Sequence, residues 1–162
     1  MDTVFRLVRL TFPLAVLFLL TLVPFSVPLT RAQDAANPWT AVQTVQPADL
    51  VRELADNKSS PTVLFVGFQR LYVAGHIKGA QFHGSGGSTE GLAQIKAWAG
   101  SLPRSTNLVI YCGCCPMEHC PNVRPAFTTL HEMGFTKLRV LILPESFAKD
   151  WAEKGLPYDK GQ

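Results

Sequence analysis

An apolar run, Leu108-Val109-Ile110-Tyr111, leads directly into four cysteines packed within nine residues: Cys112, Cys114, Cys115 and Cys120. A helical pattern follows over residues 125–133, with Gly134 placed to stop it. A short continuous run of β-formers next to a helical segment reads as a strand buried on both faces. Such strands belong to parallel sheets covered by helices, and ligands bind at the carboxyl ends of those strands. Cys112 falls at that end. The backbone N–H groups and the positive pole of the next helix favour a thiolate there.

The rest of the chain alternates in the same way. Residues 42–45 and 62–66 read as strands, as do a short piece near 81–83 and residues 138–143. Pro47-Ala48-Asp49 opens a helix with Leu50, Val51 and Leu54 on its apolar stripe. Residues 70–74 suit one helical turn, and residues 84–87 a flexible glycine-rich loop that lacks the context of a dinucleotide site. Ser88-Thr89-Glu90 opens a helix with Leu92, Ile95, Trp98 and Ala99 on one face, and residues 145–154 form the last. The expected fold class is α/β, a three-layer α/β/α domain around a central parallel sheet of about five strands.

The first 32 residues stand apart. Arg6 and Arg9 precede an apolar segment broken by Pro13 and Pro24, and Thr30-Arg31-Ala32 closes it with small residues at the cleavage positions. This reads as a secretory signal peptide over 1–32, then a linker over 33–41 and the domain over 42–162. The expected location is outside the cytosol, periplasmic or secreted; the alternative is an uncleaved N-terminal membrane anchor. A net charge of +3 with scattered Lys and Arg argues against nucleic-acid binding. A monomer is expected, meeting a membrane only through the uncleaved segment.

Four cysteines in one short loop close only small rings, so disulfides there gain little stability. Their clustering points to reactivity or metal binding. Cys112 and Cys115 form a C-x-x-C, the spacing of a thiol–disulfide pair. Cys112, Cys114, Cys115, His119 and Cys120 offer ligands for zinc or copper, although the distant second ligand pair of structural zinc sites is missing. No metal or cofactor is firmly expected. The bland alternative for Cys112 is a small buried hydrophobe.

Four landmarks in order resemble the rhodanese family. Tyr72-Val73-Ala74-Gly75-His76-Ile77-Lys78-Gly79-Ala80 resembles its Y-x-x-G-H-I-P-G-A segment, with Lys78 in place of proline. The run 108–112 resembles the strand ending in the active-site cysteine, and Leu130 with Gly134-Phe135 the end of the following helix. Trp151, Gly155 and Pro157 fit the C-terminal W-x-x-x-G-x-P ending. The resemblance spans roughly residues 45–157. It implies a sulfurtransferase whose Cys112 carries sulfane sulfur as a persulfide between a small donor such as thiosulfate and a thiophilic acceptor. It further implies that Gly113, Cys114 and Cys115 bind the substrate anion through the loop amides, and that His76 is structural. Arg124 reads either as a partner for that anion or as a solvated surface residue. Two departures stand out. The D-x-R often found before the G-H-I box is Val66-Gly67-Phe68 here, and the cysteine loop is several residues longer than usual, as in a distinct exported subgroup.

Overall fold

The computed structural model describes residues 37–161, apart from Asn57 and Ser59. The expected signal peptide therefore lies outside the described residues. Seven strands and four α-helices follow in chain order: β1 (Thr44–Val45), α1 (Pro47–Ala55), β2 (Thr62–Phe65), α2 (Gln69–Ala74), β3 (His76–Ile77), β4 (Gln81–Phe82), α3 (Thr89–Gly100), β5 (Asn107–Tyr111), α4 (Val123–Glu132), β6 (Lys137–Leu141) and β7 (Tyr158–Asp159). Five strands make one parallel sheet in the order β1-β6-β5-β2-β4. Strand β5, which leads into Cys112, is in the middle.

The alternation of side chains along β5 divides the core. Leu108, Ile110 and Cys112 join Ile95 and Ala99 of α3 and Ala126, Phe127 and Leu130 of α4 in one buried cluster. Val109 and Tyr111 join Leu50 of α1, Ile77 and Trp151 in the other. Both sheet faces are covered, which is why the 108–111 run has no polar residue. Each fully buried Leu or Ile contributes about 1.5–3 kcal/mol. Arg139 of β6 clamps Glu53 of α1 with two bonds of 2.8 and 2.6 Å and also reaches Asn107 of β5, tying two inner strands to a covering helix.

Of the 33–41 linker, residues 37–41 are described, and they are held to the domain. Trp39 is buried edge-on against Phe127, and Asn37 accepts a bond from Arg124. The helix expected over 145–154 is shorter, a π-helical turn over Ala148–Ala152. The preceding turn is held instead by the buried Asp150 carboxylate, which accepts the backbone N–H groups of Glu145 and Ser146 at 2.7 and 2.9 Å.

The two landmark segments meet in space. Strands β3 and β7 pair antiparallel, joining the G-H-I box to the C-terminal tail. His76 stacks on Tyr72, its Nδ1 lies 2.8 Å from the Tyr72 carbonyl, and the Tyr72 hydroxyl donates to the Ala80 carbonyl. The Lys78 N–H donates to the Pro157 carbonyl at 3.2 Å, a bond a proline could not make. The indole N–H of Trp151 donates to that same carbonyl at 2.9 Å. His76 thus has the structural role expected of it.

Candidate active site: a thiol cluster at the end of the central strand

Strand β5 ends at Tyr111, and the chain turns back at once. Gly113 adopts φ +67°, a left-handed conformation that glycine takes without steric cost. A Cβ there would stand 2.6 Å from the Cβ of Phe147, whose N–H donates to the Gly113 carbonyl at 2.9 Å. The turn folds Cys114 back onto Cys112, and their sulfurs are 3.0 Å apart. The Cys114 and Cys115 sulfurs lie 3.3 Å apart. A 3-10 turn over Met117–His119 then returns the chain, bringing Cys120 to the same place. The sulfurs of Cys112, Cys114 and Cys120 all lie within 4.8 Å of one another. None of the four cysteines is in a disulfide.

One residue that sequence reasoning passed over organises this cluster. Asn122 is fully buried immediately before α4, and its Nδ2 donates to the sulfurs of Cys112 and Cys114 at 3.4 and 3.6 Å. Its Oδ1 accepts a 3.0 Å bond from the Ser85 hydroxyl. The 84–87 loop is therefore a cradle rather than a free tether. A Cβ on Gly86 would sit 2.1 Å from the Asn122 carbonyl oxygen, and one on Gly87 2.6 Å from its Oδ1. Only glycines allow that approach. The signal available in the sequence was the conjunction of a Ser-Gly-Gly loop with an asparagine just before a helix; neither alone points to a sulfur.

The charge sits differently from expectation. Backbone N–H groups of Asn122 and Val123, at the start of α4, point at Cys120 rather than Cys112. A hydrogen bond from the Cys112 thiol, together with these N–H groups, holds the Cys120 pKa well below the ordinary thiol value. Cys112 is raised, first by its hydrogen bond to Cys120 and then by burial. Burial also pushes Cys115 up to about 12. Cys112 and Cys120 therefore titrate as a pair, with the N–H groups at the start of α4 favouring negative charge on the Cys120 side.

Cys112, Gly113 and Cys114 line a cleft of about 400 Å³, walled by Phe65, Leu71, Phe147 and Tyr158 and carrying Ser146 and Lys160 at its polar edge. Cys115 and Cys120 are not among its lining residues. Arg124 is not either. Its guanidinium donates to the carbonyls of Met117 and Cys120 and to Asn37, and lies over the Trp39 ring. It clasps the loop instead of facing a substrate. His119 is exposed and outside the three-sulfur group. Where the D-x-R would fall, Gly67 lies so near that a Cβ would be 3.0 Å from the Cys112 sulfur.

Among the described residues, the three sulfurs are the group that could hold a soft metal ion. A tetrahedral zinc with Zn–S of ~2.3 Å sets its sulfurs ~3.8 Å apart. The 3.0 Å pair is closer than that.

No family model and no curated protein sequence matches the chain. Solved structures do. A protein from Bacillus halodurans, BH2092, superposes with TM-score 0.57 at 18% identity, over 72% of this chain and 76% of that one. The rhodanese-like domain of the Alr3790 protein from Anabaena sp superposes with TM-score 0.53 at 22% identity, over 73% and 79%. Thiosulfate sulfurtransferase from Pseudomonas aeruginosa gives TM-score 0.51 at 21% identity, over 74% of this chain and 19% of that larger one. The α/β fold with its central parallel sheet is the rhodanese-like one.

Proposed function

We propose that this chain, on its rhodanese-like fold, is a sulfurtransferase that carries sulfane sulfur as a persulfide on Cys112. The observation behind this reading is the placement of the Cys112 sulfur at the end of the central strand, beside the cleft, under the side-chain amide of Asn122. A donor of the thiosulfate class enters the cleft with its oxyanion toward Lys160. Cys112 gives up its proton within the hydrogen-bonded Cys112–Cys120 pair as it attacks, so that the pair's negative charge comes to the sulfur facing the cleft. The Cys112 thiolate attacks the sulfane sulfur, a sulfur–sulfur bond forms, and the donor's own S–S bond breaks to release sulfite. The amide of Asn122 and the N–H of Cys114 hydrogen-bond to the Cys112 sulfur while it bears negative charge. The apolar walls keep water from the persulfide.

Cys120 is the base and not the nucleophile in this scheme, because it lies outside the cleft lining. Single-turnover release of sulfite tests the assignment. The reduced protein mixed with thiosulfate releases stoichiometric sulfite, and Cys112→Ser releases none. Wild-type sulfite release by Cys112→Ser would remove Cys112 from the role. On the strength of residues 1–32, export is part of the proposal; N-terminal sequencing of the protein recovered outside the cytosol is expected to begin near Gln33.

A further inference from the structure

We propose that Cys114 is a resolving thiol that displaces the sulfane sulfur from Cys112 as hydrogen sulfide, so that the protein reduces thiosulfate-class donors with electrons from a dithiol. This inference rests on the persulfide reading of Cys112 and names what takes the sulfur off it.

Position decides which sulfur is attacked. Cys114 touches the sulfur of Cys112 itself, at 3.0 Å, and this atom becomes the inner sulfur of the persulfide. The outer sulfur stands a bond length of ~2.05 Å beyond it. A thiol in contact with the inner sulfur makes a protein disulfide and expels the outer one. The Cys114 thiolate attacks Cys112 Sγ, the bond between that sulfur and the sulfane sulfur breaks, and hydrosulfide leaves. Both cysteine sulfurs are oxidised by one electron each, and the sulfane sulfur is reduced by two. The proton lost by Cys114 and that of the persulfide leave with the sulfur as hydrogen sulfide. A dithiol then reduces the Cys112–Cys114 disulfide by exchange and is itself oxidised. The sum is thiosulfate plus dithiol giving sulfite, hydrogen sulfide and the oxidised dithiol.

Three features of the loop serve this step. The left-handed Gly113, wedged against Phe147, holds the C-x-C turned back on itself, so the resolving thiol is in place before the donor arrives. Asn122 donates to both sulfurs of the pair, and Ser85 fixes it there. Cys114 is half-exposed and lines the cleft, which leaves the disulfide open to a reductant. The C-x-x-C partner lacks this arrangement: Cys115 lies outside the cleft lining, and its sulfur lies 3.3 Å from that of Cys114 and outside the group formed by Cys112, Cys114 and Cys120.

The full chain is reduced, freed of reductant without oxygen, and mixed with one equivalent of thiosulfate. Sulfite, sulfide and the mass of the protein are followed together. Wild type is expected to release sulfite and sulfide in equal amounts and to end as a disulfide that peptide mapping places between Cys112 and Cys114. Cys114→Ser is expected to release sulfite but to keep the added sulfur, with sulfide release slowed roughly tenfold or more by the loss of a positioned nucleophile. Cys115→Ser is expected to release sulfide as wild type does. Sulfite without sulfide from wild type, sulfide from Cys114→Ser at the wild-type rate, or a disulfide at another pair overturns this inference and leaves the sulfurtransferase reading standing. No sulfite from wild type overturns both.

Discussion

The side-chain nitrogen of Asn122 lies 3.4 Å from the sulfur of Cys112, while Ser85 holds the opposite end of the same amide at 3.0 Å. The hydrogen-bond direction is therefore fixed: the amide can only donate to the sulfur. Asn122→Ala removes a bond to the attacking thiolate worth about 1.5–3 kcal/mol and should slow sulfite release roughly 10- to 150-fold. Asn122→Asp keeps the shape but sets a carboxylate beside both sulfurs, disfavouring the attacking thiolate. Its sulfite release should be slower than that of the alanine variant. A rate in Asn122→Asp equal to wild type would show that the amide does not act on the sulfur.

Gly113→Ala places a methyl group 2.6 Å from the Phe147 Cβ at a residue with φ +67°. The left-handed conformation alone costs about 1–2 kcal/mol for a residue with a Cβ. Thermal unfolding should show at least that loss. The Cys112 and Cys114 sulfurs should also part, so that mild oxidation forms their disulfide more slowly than in wild type. An unchanged melting temperature would mean that the turn is not constrained as described.

The layout of the fold was legible where apolar residues run or repeat. The 108–111 run located the middle strand, and the stripe of Leu50, Val51 and Leu54 located α1, because burial on one or both faces leaves a periodic trace. Strands β3 and β7, two residues each, are too short to carry any period, so their pairing was invisible. The last helix was overestimated because Asp150 reads as an ordinary helical residue, whereas its carboxylate caps the turn before it. In the site, the cysteine loop was evident from composition. The partners of each sulfur were not, since they depend on one glycine's φ angle and on a contact between Ser85 and Asn122, far apart in the chain. The helix pole was expected to favour a thiolate on Cys112. The longer loop carries Cys120, rather than Cys112, to that pole.

The proton arrangement predicts a pH dependence with a definite sign. The folded pKa of Cys120 is depressed below its unfolded value by the Cys112 thiol and two backbone N–H groups. Its contribution to stability is thus fully present above the ordinary thiol range and lost as pH falls through the folded value. Thiolate absorbance in the ultraviolet should persist at neutral pH in wild type and disappear on acidification. In Cys120→Ser the first thiolate should form only at higher pH, and the pH profile of sulfite release should shift upward with it. A profile that stays in place would exclude Cys120 as the base.

Two cations separate binding from stability. Arg124 was the sequence candidate for the substrate anion, but its guanidinium is committed to the carbonyls of Met117 and Cys120, to Asn37 and to the Trp39 ring. Lys160 lines the cleft with its ammonium 6.0 Å from the Tyr158 ring centroid. Arg124→Lys keeps the charge but loses the planar fork that spans two carbonyls, so the melting temperature should fall while KM for thiosulfate holds. Lys160→Met should do the reverse. It removes a charge at an exposed edge, where an ion pair is worth about 0.2–1 kcal/mol, and KM should rise roughly 1.5- to 5-fold with little change in melting temperature. Raising the salt concentration should weaken thiosulfate binding in wild type and leave Lys160→Met nearly unaffected, because only the wild-type contact is screened. If instead Arg124→Lys raises KM and Lys160→Met does not, the donor enters from the face of the loop opposite the cleft.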